Sequence, residues 1–187
     1  MKNVLSRAPA LLALLLAFQA QAATPDNAAK PLATIPSLDL KRYAGTWYEI
    51  AKFPNSFQDK CVGYTTATYS ARENGRIDVV NRCRRKDGDN QVAEAVARQP
   101  EGPSSPKLEV RFAPAIFSFI PMVWGDYWVI DLDADYTLAA VSEPKREYLW
   151  ILSRTPTVDP ATYEALLKRL ADQGLDMKRL VPTKQAP

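Results

Sequence analysis

Histidine is absent from this sequence of 187 residues, and cysteine occurs twice, at Cys61 and Cys83. Those two facts close most common routes to catalysis and metal binding. A Ser-His-Asp triad, a Cys-His pair and a His-ligated metal all need an imidazole. The chain also lacks a Gly-x-Ser-x-Gly elbow and a Gly-rich phosphate loop. No metal site and no cofactor are expected. Three kinds of reactive group remain: the two thiols, a set of tyrosines, and Glu49, a carboxylate in the apolar stretch "AGTWYEIAKFP". Counting by twos from Trp47 puts Glu49 and Ala51 on an inward face. A carboxylate there needs partners, because an unpaired buried charge is costly. Tyr127 and Tyr148, inward by the same count, are the expected donors. Glu49 then reads as a satisfied structural group.

The ends of the chain say where it works. Lys2 and Arg7 form a charged segment, "ALLALLLAF" an apolar one, and Ala20-Gln21-Ala22 a small-x-small cleavage site. Together they predict a signal peptide over 1–22. The run is too short to span a bilayer. Ala23 and Thr24 follow it where a lipoprotein would carry Cys, so a soluble periplasmic protein without a lipid anchor is expected. It could still lie peripheral to the outer membrane. Removing 1–22 takes two positive charges and no negative ones, leaving +3 − 2 = +1. That balance gives no basic surface for nucleic acid. The mature length, 187 − 22 = 165 residues, suits one domain. Residues 23–39 read as an extended N-terminal arm, 40–182 as the folded unit and 183–187 as a tail. In an exported protein the two cysteines are expected to be joined.

The folded unit breaks into strand-sized pieces at 46–53, 63–72, 76–84, 91–99, 107–112, 125–132, 137–143 and 148–155. Turn residues separate them: Asn74-Gly75, Asp87-Gly88, Gly102-Pro103, Pro121 and Glu143-Pro144. Eight strands with short connections predict an all-β, up-and-down antiparallel meander. Eight is also the number that closes into a barrel holding one small ligand. A helix follows, with Asp159 as N-cap, Pro160 at the first position and Gly174 as the stop. Tyr163, Leu166, Leu167 and Leu170 form one apolar stripe, so the helix packs outside the barrel.

Alternation locates the space. Ala93, Ala95 and Ala97 share one face, where small side chains leave room. Ala67 and Tyr69, Val79 and Asn81, Val110 and Phe112, Tyr127 and Val129, and Tyr148 and Trp150 fall inward in their strands. Glu109 and Arg111 fall outward. An apolar wall with a few polar groups is the profile of a small-molecule cavity. A barrel filled by its own side chains is the alternative.

Three motifs in order carry a family resemblance. Gly45-Thr46-Trp47-Tyr48-Glu49-Ile50 resembles the Gly-x-Trp that opens the first lipocalin strand. Asp133 to Tyr136 resembles the second motif, with Ala134 and Asp135 between the Asp and the Tyr. Arg154, in "YLWILSRTP", resembles the Arg that closes the eighth strand. The resemblance runs from about Leu40 to Pro182. It is closest to bacterial lipocalins of the outer-membrane lipoprotein, apolipoprotein D-like type. In a meander Gly45, Trp47, Asp133, Tyr136 and Arg154 meet at one end, which in lipocalins is the closed floor. Arg154 stacked on Trp47 would contribute about 0.5–2 kcal/mol.

The resemblance implies binding and transport or storage of a fatty acid or lysophospholipid, without catalysis. Two other readings compete: a lipocalin-fold enzyme acting on a lipid-like substrate, and a protein-binding lipocalin. The mouth then collects loops 54–62, 85–90, 113–124 and 143–147. An uncharged run from Phe112 to Trp124 and the basic "RCRRKDG" predict an apolar lip beside a cationic loop, suited to an amphiphile or a membrane surface. In a regular hairpin turning at Glu73-Asn74-Gly75, Cys83 faces Thr65, ~13 Å along the strand from Cys61. A disulfide needs Cα atoms within ~7 Å. Cys61 is therefore expected off the ladder, in a loop folded over the mouth.

Overall fold

The computed structural model describes residues 30–114 and 123–185. The predicted signal peptide, the start of the arm and most of the uncharged run after Phe112 lie outside those residues. Eight strands follow in order: β1 (Gly45–Lys52), β2 (Cys61–Ala71), β3 (Ile77–Arg85), β4 (Asn90–Arg98), β5 (Lys107–Arg111), β6 (Gly125–Leu132), β7 (Leu138–Ser142) and β8 (Leu149–Ser153). Each pairs with the next, and β1 pairs with both β8 and β2, so the sheet closes. The eight-stranded barrel with one external C-terminal helix, α2 (Pro160–Asp172), is as expected.

Some small elements were not legible in the sequence, among them a short helix and a further strand. Helix α1 (Leu40–Tyr43) forms because the Asp39 carboxylate accepts from the Lys41 and Arg42 N–H groups. A ninth strand, β9 (Val181–Pro182), pairs with β1 outside the barrel sequence order.

Local chemistry explains the rest. The β2–β3 hairpin turns on Arg72 N–H donating to Arg76 O, which leaves 73–75 as its loop. At the head of α2 the Asp159 carboxylate accepts from Thr162 N–H at 2.9 Å, and Pro160 occupies the first turn. Leu166 and Leu170 are fully buried against Phe53, Ile130, Leu149 and Ile151 on the barrel's outer wall. Each such leucine contributes about 1.5–3 kcal/mol. Arg169 reinforces the contact with a two-pronged ion pair to Asp131, at 2.7 and 2.9 Å.

Register shifts in β1, β2 and β6 alter the simple alternation. In β1, Glu49 faces Leu152 but Ala51 faces Ile151, so Ile50 is an extra residue. Glu49 stays inward, while Ala51 and Phe53 turn out towards α2, correcting the inward assignment of Ala51. In β2 the register slips between Cys61 and Gly63 and again before Thr66. The slip places Cys61 opposite Arg85, within the ladder, and brings its Cα to 5.7 Å from that of Cys83. The expected Cys61–Cys83 disulfide forms. Cys61 is not off the ladder as expected, because the register slip takes up the missing distance inside the strand.

Candidate ligand-binding site

The closed end is built around Trp47, which is fully buried. Its indole N–H donates to Tyr43 O at 2.8 Å, tying β1 to α1. The Arg154 guanidinium lies 3.9 Å from the indole centroid. Its N–H groups reach Thr46, Tyr136, Arg42, Tyr43 and Ala44 carbonyls at 2.8–3.2 Å. Gly45 is required here, because a Cβ would meet the Arg154 Nη1 at 3.2 Å and its φ is +99°. Tyr136 accepts from Asp39 N–H at 3.0 Å, and Arg42 covers its ring. Burial works to raise the Asp133 carboxyl, but hydrogen bonds from Leu138 and Thr137 hold it below the ordinary carboxylate value.

Above this floor the barrel encloses a cavity of about 640 Å³. Ala67, Tyr69, Val79, Asn81, Val110, Phe112, Tyr127, Tyr148 and Trp150 line it. Phe112 does so from the rim, where it is 55% exposed. Ala93 instead lines an adjoining chamber of about 250 Å³, walled on one side by the disulfide. Ala95, Ala97 and Val129 are buried in the inner core with Ile77 and Leu108, nearer the floor, and are not among the cavity-lining residues. Ile77 and Leu108 fill the barrel there, so of the alanine row it is Ala93 that borders open space. Arg111, outward by alternation, is nevertheless buried, with Ala113 O accepting from it at 2.5 Å and Trp124 beside it.

Glu49 lines the cavity and is 2% exposed. Its carboxylate accepts from Gln58 Nε2 at 2.6 Å and Thr183 Oγ1 at 2.5 Å, with Lys52 Nζ at 3.4 Å. These replace the tyrosine donors expected from sequence. Tyr148 instead stacks on Trp150, with Phe57 beside it. Tyr127 sits deeper and bonds to two other phenols, Tyr43 at 2.8 Å and Tyr69 at 2.7 Å. Burial pushes all three phenols up, Tyr69 to about 12, so each is a neutral hydroxyl at physiological pH.

Several lining groups escaped sequence reasoning. Thr65 shares the face of Ala67 and Tyr69, so simple alternation would have found it. Phe57 and Gln58 come from a short 3₁₀ turn, Ser56–Gln58, that folds over the opening. Trp150 Nε1 donates to Gln58 Oε1 at 3.0 Å and holds that turn in place. Thr65 Oγ1 and Asn81 Oδ1 are buried without a hydrogen-bond partner among the described residues, at the boundary of the two chambers. The charged lining residues are Glu49, Asp126, Glu143, Lys145 and Glu147. Of the basic β3–β4 hairpin, Arg82 borders the side chamber and Arg84 lies over Tyr64, and neither is among the residues lining the main cavity.

A family model for the lipocalin-like domain matches residues 38–185. The chain is 39% identical over 159 residues to temperature-induced lipocalin-1 of Arabidopsis thaliana, covering 84% of each. It is 35% identical over 178 residues to the outer membrane lipoprotein Blc of Escherichia coli K12, covering 95% of this chain and 96% of that one. Among solved structures, the cockroach allergen Per a 4 superposes with a TM-score of 0.62 at 21% identity, over 82% of this chain and 91% of that one. At that identity the structural match shows the fold alone.

Proposed function

Since this chain belongs to the lipocalin family, we propose that it binds and carries a long-chain lipid, a fatty acid or lysophospholipid, in the cell envelope. The observation that carries this reading is the cavity of about 640 Å³, walled by Ala67, Val79, Val110 and Leu152 and open past Phe57 and Phe112. Burial alone can supply the affinity. At ~0.8 kcal/mol per methylene, about ten methylenes match the free energy of a micromolar complex, before the cost of immobilisation. The acyl chain occupies the main cavity, and Asn81 and Thr65 offer polar contacts higher up. The mixed charges at the opening, Asp126, Glu147 and Lys145, suit a zwitterionic head at least as well as an anionic one.

Two observations favour a carrier over an enzyme. Both cysteines are joined to each other, so no thiol nucleophile is present. Glu49 is held by Lys52, Gln58 and Thr183 rather than paired with a second cavity carboxylate. The disulfide supports an oxidising compartment such as the periplasm. The Escherichia coli relative is named an outer membrane lipoprotein, which supports an envelope location for this chain.

Displacement of a fluorescent fatty acid tests the reading. Val110→Trp fills the cavity opposite Gly125 and is expected to weaken binding at least tenfold, whereas Glu94→Gln, on the exposed outer face of β4, should leave affinity unchanged. Equal binding by a folded Val110→Trp protein would show that the ligand lies elsewhere.

A further inference from the structure

The base of the cavity holds a hydrogen-bond donor that the protein itself does not use. Tyr127 OH contacts Tyr43 OH and Tyr69 OH, and no other hydrogen bond engages these three oxygens among the described residues. Three hydroxyls carry three protons, and two contacts consume two of them. One proton is left over whichever way the bonds run. If Tyr43 and Tyr69 both donate to Tyr127, the spare proton sits on Tyr127. If the chain runs from Tyr43 through Tyr127 to Tyr69, it sits on Tyr69. Both of those side chains line the cavity. The reverse direction strands the proton on Tyr43, which is 1% exposed and is not among the lining residues. A buried donor without a partner is costly, so the arrangements that aim the proton into the cavity are favoured.

A lipid tail ending in a methyl group leaves this donor unpaired. We propose that the deep end of the cavity is an acceptor-binding subsite, and that its ligand carries an uncharged oxygen, as hydroxyl, carbonyl or ether, at the end of the chain that enters first. The inference rests on the lipid-carrier reading and narrows its ligand to oxygenated chains. The oxygen is uncharged because no charged side chain lines that end. The Arg154 guanidinium, whose charge acts on Tyr43 and Tyr69, lies below the floor with its N–H groups given to backbone carbonyls. Ala67, Val79, Leu152 and neutral phenols surround that end, and Lys145, the basic residue among the lining, belongs to the β7–β8 turn at the mouth. A carboxylate pushed to the base would trade its hydration for a single donor. The carboxyl head therefore stays at the opening, and the acceptor belongs to the far end.

Palmitic acid and its ω-hydroxy derivative, competed against a fluorescent fatty acid, differ only at that end. The native protein is expected to bind the ω-hydroxy chain ~3–10-fold more tightly, the net contribution of one hydrogen bond. The triple variant Tyr43→Phe, Tyr69→Phe, Tyr127→Phe removes all three oxygens together, leaves no orphaned hydroxyl and is expected to reverse the preference. A native protein that prefers the methyl-ended chain overturns the inference whatever the variant does. So does a preference that survives in the triple variant. Failure of both chains to compete would overturn the lipid-carrier reading itself, and this subsite with it.

Discussion

Arg154 shows how one side chain can fix an end of the barrel. It sits where β8 finishes, yet its partners are carbonyls of α1, the α1–β1 junction, β1 and the β6–β7 turn. A guanidinium can serve them because its donors fan out in one plane while its face covers the Trp47 indole. Lysine has the charge but neither the fork nor the face. Arg154→Ala is expected to lower stability by about 2–3 kcal/mol, or roughly 5–10 °C in Tm. Ligand stoichiometry should be unchanged, since Arg154 is not among the cavity-lining residues. Calorimetry alongside a binding titration separates the two effects. Lost binding at unchanged Tm would mean that the ligand enters from this end.

At the scale of elements, the feature that most needs explanation is the seam between β1 and β2. These strands pair only over 45–48 and 66–69, then diverge. The C-terminal residues fill the gap. Thr183 N–H donates to Ile50 O at 2.9 Å and Tyr64 N–H to Lys184 O at 2.6 Å. The Gln185 amide donates to Glu49 O and Thr65 O. The fit is close enough that a Cβ on Gly63 would lie 2.5 Å from Lys184 O. A chain ending after Leu180 should still close its barrel through β8 and the remaining β1–β2 pairs. It is expected to lose amide protection at Tyr64 and to release ligand faster, because Glu49 loses Thr183 and the wall beside it opens. Hydrogen exchange and stopped-flow dissociation measure these, and unchanged values for both would reduce β9 to an ornament of the seam. The disulfide braces the same region from the β3 side. On the chain-entropy view, closing a loop of this size is worth ~3 kcal/mol.

At the scale of the whole molecule, the phenol cluster ties stability to alkaline pH. The folded state holds the Tyr69 proton to about 12, against 10.0 for an ordinary tyrosine, and burial raises Tyr43 and Tyr127 as well. Between those values the native protein binds more protons than the unfolded chain, so stability falls as pH rises. The contribution is fully present below about pH 10 and is lost as pH climbs through the folded value. Thermal melts of the native protein are expected to decline more steeply from about pH 10 to 12 than those of the triple phenylalanine variant. Parallel declines would mean that the cluster is not held neutral by the fold.

The strands, the closing helix and the direction of the barrel are written in local patterns. Apolar alternation marks the strands, and Asp159-Pro160 with Leu166 and Leu170 marks the helix. The order of Trp47, Asp133 and Arg154 along a meander is enough to bring them to one end. These signals survive because each depends on neighbours a few residues away. Much of the cavity lining could also be read this way, from Ala67 and Tyr69 to Tyr148 and Trp150. The misreadings have a different character. Ala51 turned outward because a bulge is a mismatch between two strands, which neither strand encodes alone. Ala95 and Ala97 make no room because Ile77 and Leu108 fill the barrel beside them, and packing density is a property of the assembled core. Glu49 found Gln58 and Thr183, the latter 134 residues away, where counting along its own strand offered only tyrosines. Sequence alone determined which face each regular strand offers; only the closed tertiary structure decided which of those faces meet space, because space is what remains after all the distant side chains have packed.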